Sequence, residues 1–182
     1  NSGAKELWRG PWAGISRTNW ILTNIDKSPK ISDAKKTQYK GEAHFLRGLY
    51  YFNLVRLFGD VPWIDKQQTA SDDLQVSRTS KDIVYQHIID DFSDAASMLP
   101  AVYENTTDIG RATKGAAFGL LAKVYLTLKR YNETLVAIDS VTNLGVYSLN
   151  RKYEWNFSIE RRIELSDDRS SRGGYSSGWC SW

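Results

Sequence analysis

The chain has 182 residues, 41% hydrophobic and 25% charged, enough for one domain and too rich in apolar residues for disorder along its whole length. A formal net charge of +3 is too small to point to nucleic acid or an anionic membrane, and the single cysteine, Cys180, excludes an intrachain disulfide and a cysteine-built zinc site. No apolar run approaches the roughly 18 residues that a membrane-spanning helix needs. The seven tryptophans fall early (Trp8, Trp12, Trp20, Trp63) and late (Trp155, Trp179, Trp182). The first residue is Asn, and no charged start leads into an apolar signal run, so the chain reads as an internal piece or a processed product.

Helical periodicity governs the first 145 residues. From Lys5 to Asp26 the apolar stripe is Trp8, Trp12, Ile15, Leu22 and Ile25, with Asn19 inside it and in need of a buried partner. Ser28-Pro29-Lys30 ends this helix, because the residue before proline avoids the α region. A second helix is expected from Asp33 to Phe58. Its wheel gathers Tyr39, Ala43, Leu46, Tyr50, Leu54 and Leu57, with Phe45, Leu49 and Phe52 alongside, and leaves Lys40, His44, Arg47 and Tyr51 as the polar sector. So wide an apolar arc suits a helix wedged between two neighbours. Gly59-Asp60-Val61-Pro62 stops it with a left-handed cap and a proline.

Residues 65–79 read as a surface loop. A third helix, capped by Thr79 or Ser80, carries the stripe Val84, Ile88, Phe92, Ala95 and Leu99 and ends at Pro100. Thr113 caps a fourth helix rich in small residues, closing at Lys129 and Arg130. Asn132 is the expected cap of a fifth, with a stripe of Leu135, Ile138 and Val141 or Thr142 and a stop near Gly145. Phe118, Leu121, Ala122 and Tyr125 occupy the aromatic, leucine, small and tyrosine offsets of a tetratricopeptide repeat, where a small residue lets two helices approach. Thr134 fits that template poorly, and an ordinary α hairpin explains the pattern equally well. Val146 to Leu149 reads as one short extended piece, and 166–182 shows no period.

The run Gly41-Glu42-Ala43-His44-Phe45-Leu46-Arg47-Gly48 through Phe58-Gly59-Asp60-Val61-Pro62 resembles the hallmark helix and turn of the SusD/RagB family, nutrient-binding outer-membrane lipoproteins of Bacteroidetes. Three further blocks agree in order and spacing. They are Arg78-Thr79-Ser80 with Ile88-Ile89-Asp90-Asp91 and Leu99-Pro100, then Gly110-Arg111-Ala112-Thr113-Lys114, then Gly145-Val146-Tyr147-Ser148-Leu149. The resemblance implies an all-α fold of tetratricopeptide-like hairpins, about five helices, over residues 1–158, and an irregular tail over 159–182. It also implies capture of an oligosaccharide or peptide beside a TonB-dependent transporter at the cell surface, with no cofactor, metal or nucleic acid. The family's signal peptide and lipidated cysteine are not in this sequence. The alternative is a tetratricopeptide-like adaptor that grips a protein and not a sugar.

No catalytic constellation emerges. His44 reads as solvated, and His87 lacks a second ligand at metal spacing. The acid pairs Asp72-Asp73, Asp90-Asp91 and Asp167-Asp168 lack the alternating oxygens of a calcium loop. Glu42, toward the apolar arc, needs Asn19 or an arginine on a neighbouring helix. Aromatic rings are the best binding candidates, since the C–H face of a sugar lies flat on an indole. Trp63 in its loop, with Trp8 and Trp12, makes the candidate ligand site, although Trp12 has a core position in its stripe.

Overall fold

A computed structural model describes residues 2–69, 71 and 75–148. Five α-helices follow in order: α1 (Ser2–Asn24), α2 (Asp33–Phe58), α3 (Lys81–Met98), α4 (Lys114–Thr127) and α5 (Tyr131–Thr142). Short 3-10 turns lie at Ile25–Lys27 and Thr106–Asp108. Each helix packs chiefly on its chain neighbours, so the layers form an open row with α2 between α1 and α3. This is the all-α hairpin architecture that the periodicity predicts. The tail expected at 159–182, the last part of the 1–158 scaffold, and the pairs Asp72-Asp73 and Asp167-Asp168 lie outside the described residues.

Local chemistry accounts for the helix ends. Ser32 accepts from the Lys35 amide at the start of α2, and Thr113 from the Ala116 amide at the start of α4. Gly59 closes α2 at φ +69°, a conformation that a side chain resists. Ser80 precedes α3 without a side-chain cap; the Asp60 carboxylate, far back in sequence, takes the Lys81 amide at 2.8 Å instead. A single antiparallel bridge joins Val61 to Thr79 and closes the connection that begins in the Asp60 turn. The fifth helix starts at Tyr131 with Arg130 as its cap residue, two residues before the expected Asn132.

The core runs along α3, where Val84, Ile88, Phe92, Ala95 and Leu99 are all buried as their spacing requires. On α2 the wheel is right for Ala43, Phe45, Phe52 and Leu54, which are buried, and wrong at one edge of its arc and in its polar sector. Leu46 is 39% exposed and Leu57 is also exposed, whereas Arg47 and Tyr51 are buried. The buried arc of α2 is centred on the sector that hydropathy marks as polar, because those polar groups find partners there. Glycines on this arc permit the approach: a side-chain carbon at Gly48 would stand 3.2 Å from the Phe92 ring and 3.3 Å from Asp91. The fifth helix differs too. It buries Thr134 and Ala137, and Leu135, Val136 and Ile138 face outward. Thr134 can occupy a small-residue position because its hydroxyl donates to the Arg130 carbonyl at 2.8 Å.

The described part of 146–149 forms no ladder. Tyr147 folds back over the start of α4, with its hydroxyl 2.8 Å from the Thr113 hydroxyl and its ring where a side chain on Gly115 would stand. The contrast within α2 is measurable in denaturant. Leu54→Ala removes a fully buried side chain and should cost about 2–5 kcal/mol. Leu46→Ala, on the outer side, should stay within about 0.5 kcal/mol. Equal costs would contradict the observed orientation of the helix.

Candidate functional site

An aromatic run crosses the α1–α2 side of the molecule. Trp8 meets Phe58 edge-on at 5.0 Å and Trp12 at 5.4 Å. Trp12 meets Tyr51 at 6.0 Å, Tyr51 meets Trp63 at 4.2 Å, and Trp63 stacks on His87 of α3 at 4.4 Å and 12°. The three candidate tryptophans therefore belong to one continuous run, joined through Tyr51. Trp8 and Trp12 are half-buried. Trp63 is also half-buried, but its ring is already packed by Tyr51, His87 and the Arg47 guanidinium, 5.3 Å from its centroid. His87 is accordingly a stacking partner.

Beneath this run lies a buried charged cluster. Arg47 grips Asp91 with a two-pronged fork, Nε to Oδ2 at 2.9 Å and Nη2 to Oδ1 at 2.7 Å. His44 donates to the same carboxylate from Nδ1 at 2.8 Å, which corrects its reading as a solvated histidine. The remaining Arg47 donor, Nη1, reaches Asn19 Oδ1 at 3.0 Å and the Asp65 carbonyl at 3.1 Å. Asn19 in turn donates to the Ile64 carbonyl at 2.7 Å, so its position inside the α1 stripe is satisfied. Tyr51 accepts from the Ile64 amide at 2.8 Å and donates to the Ile64 carbonyl at 3.3 Å. Three side chains on two helices, Asn19, Arg47 and Tyr51, thus hold residues 64–65, which follow Trp63 directly.

A second linkage starts from α2 five residues before Arg47. Glu42 accepts from Arg111 Nη1 at 2.7 Å, Gln38 at 2.8 Å and the Tyr103 hydroxyl at 3.2 Å. The arginine expected opposite Glu42 is present, although on the loop before α4 rather than on a helix. Asn19 is not its partner. Arg111 also binds Asp108 at 2.8 Å, and its own pKa is raised, first by the Glu42 hydrogen bond.

Both clusters consume their polar groups in packing. The Asp91 oxygens are fully engaged, and Asp90 accepts from Gln86 one turn back. Among the described residues no group of three or more His, Cys, Asp or Glu side chains is placed to hold a metal ion. What these two clusters leave beside them for a ligand is therefore half-buried aromatic surface.

Against this geometry, comparison with known proteins is specific. Residues 1–126 match the SusD-like family described as starch-binding, associating with the outer membrane. The chain belongs to that family. A SusD-like protein of Formosa agariphila is 26% identical over 171 residues, covering 90% of this chain and 32% of the relative. A SusD-like carbohydrate-binding protein of Bacteroides fragilis superposes with a TM-score of 0.79 at 26% identity, covering 88% of this chain and 31% of that one. A laminarin-binding SusD-like protein gives 0.76 at 29% identity, covering 84% and 34%. The chain spans about a third of the length of each of these relatives. No helix among the described residues is long and apolar enough to cross a membrane.

Two measurements probe the clusters. Asp91→Ala would leave Arg47 buried without its counter-charge and should cost about 3–5 kcal/mol in urea unfolding; a cost below about 1 kcal/mol would mean that the pair is wet. Burial pushes the Tyr51 phenol above its ordinary pKa of 10.0. The folded state then holds the proton more tightly than the unfolded chain, so its contribution is complete below about pH 10 and declines as pH rises beyond it. Tyr51→Phe should flatten that alkaline loss. A residue of it should persist from Tyr103, which is raised first by burial and then by Glu42.

Proposed function

We propose that this chain supplies the helical scaffold of a glycan-binding protein that acts at the outer membrane without catalysing a reaction. The observation that carries this reading is the family match over residues 1–126, which spans the whole of α1, α2 and α3 and most of α4. The aromatic run supports it: Trp8 and Trp12 present half-buried indoles, as a sugar's C–H face requires. Trp63 completes the candidate site from beneath, through Tyr51. An oligosaccharide is the first ligand to test and a peptide the second. A TonB-dependent, SusC-like transporter is the proposed partner, and the cell surface the proposed location.

Titration with starch and laminarin oligosaccharides, followed by tryptophan fluorescence, tests the reading. A saturable response is expected, weakened about tenfold by Trp8→Ala or Trp12→Ala, the scale of one lost ring contact with part of its burial. Silence toward every glycan and peptide tried would overturn it.

A further inference from the structure

We infer that the outer face of α1 binds an anionic polysaccharide, one that carries uronate or sulfate groups. The inference rests on the glycan-binding reading above and adds a ligand class and a surface apart from Trp8, Trp12 and Trp63.

Trp20 is 55% exposed, and among the described residues its ring stacks on no other. A helix repeats every 3.6 residues, which places Arg9, Ser16 and Trp20 in one narrow sector of α1, about a quarter turn round from Ile15 and Asn19, and Lys27 follows in the 3-10 turn after the helix. Arg17 flanks Trp20 one turn back, with about 5–6 Å between such neighbours, and Lys5 flanks Arg9 in the same way. Lys5, Arg9 and Arg17 are exposed, and among the described residues none of them makes an ion pair or a hydrogen bond through its side chain. Lys27 donates to Asn24 and keeps its charge free of a carboxylate. Of the nearby acids, Asp26 is bound to Lys40 at 2.7 Å, which leaves Glu6 at the near end of the face.

The result is an open indole with unneutralised cations along about 23 Å of helix on its N-terminal side and Lys27 in the turn beyond its C-terminal side. A pyranose can lie on the ring while its carboxylate or sulfate meets a guanidinium fork at the rim. Charge complementarity selects the anionic sugar over a neutral one. A lipid surface fits less well, since Ala13, Ser16 and Thr23 surround Trp20 where inserting helices carry large apolar residues.

The test is affinity electrophoresis of the full chain in gels containing polygalacturonate, chondroitin sulfate, starch or laminarin. Retardation by at least one of the two polyanions is expected, declining as sodium chloride is added. Trp20→Ala and the double change Arg9→Ala, Arg17→Ala should each weaken it roughly tenfold. Neutral-glucan retention should be unchanged, and circular dichroism should confirm the helices. Absence of retardation by both polyanions, or retardation indifferent to these substitutions, would overturn the inference. So would equal or tighter binding to phosphatidylglycerol vesicles with the same sensitivity. If starch or laminarin retards the chain and neither polyanion does, the α1 assignment fails alone; if no glycan of either kind binds, the scaffold reading fails with it.

Discussion

A guanidinium and a carboxylate taken out of water together decide how the first three helices meet. Arg47 and Asp91 could not be buried singly without a cost of several kcal/mol, so α2 and α3 must present them to each other in register. Asn19 then sets the rotation of α1 against the same arginine, and His44 fills the last position on the carboxylate. The connection after α2 is tied to this knot through the carbonyls of residues 64 and 65. Hydrophobic burial along α3 supplies most of the driving force, but it is non-directional. The polar knot supplies the angle.

The residues by which the family is recognised turn out to be joints of this frame. Gly48 lets α3 come close, Arg47 and Asp91 lock it, and Glu42 reaches across to Arg111. Gly59 turns the chain, Asp60 caps α3, and Val61 bridges to Thr79. Thr113 caps α4 and holds Tyr147. None of these groups is left free, which is consistent with a motif that reports architecture.

The number and order of the helices, and both limits of α2, were legible in the sequence because periodicity and caps are local. The stripe of α3 was legible for the same reason. The orientation of α2 was not. Hydropathy treats Arg47 and Tyr51 as outward residues, and only the partners on α1, α3 and the 64–65 segment reveal why they turn inward. Glu42 was read correctly as needing an arginine, since a charge beside an apolar arc demands one, but the loop that supplies it lies 69 positions away. Trp20 was passed over because it falls outside the apolar stripe, and that displacement was itself the available signal of an exposed ring.

The row of helices is not equally secure along its length. Its middle is locked by ion pairs and aromatic rings, whereas α5 is held by a three-residue turn and buries only Thr134 and Ala137. Opening should therefore be graded. α5 opens before α1, α2 and α3, so amide hydrogens would exchange faster in α5 than around Asp91.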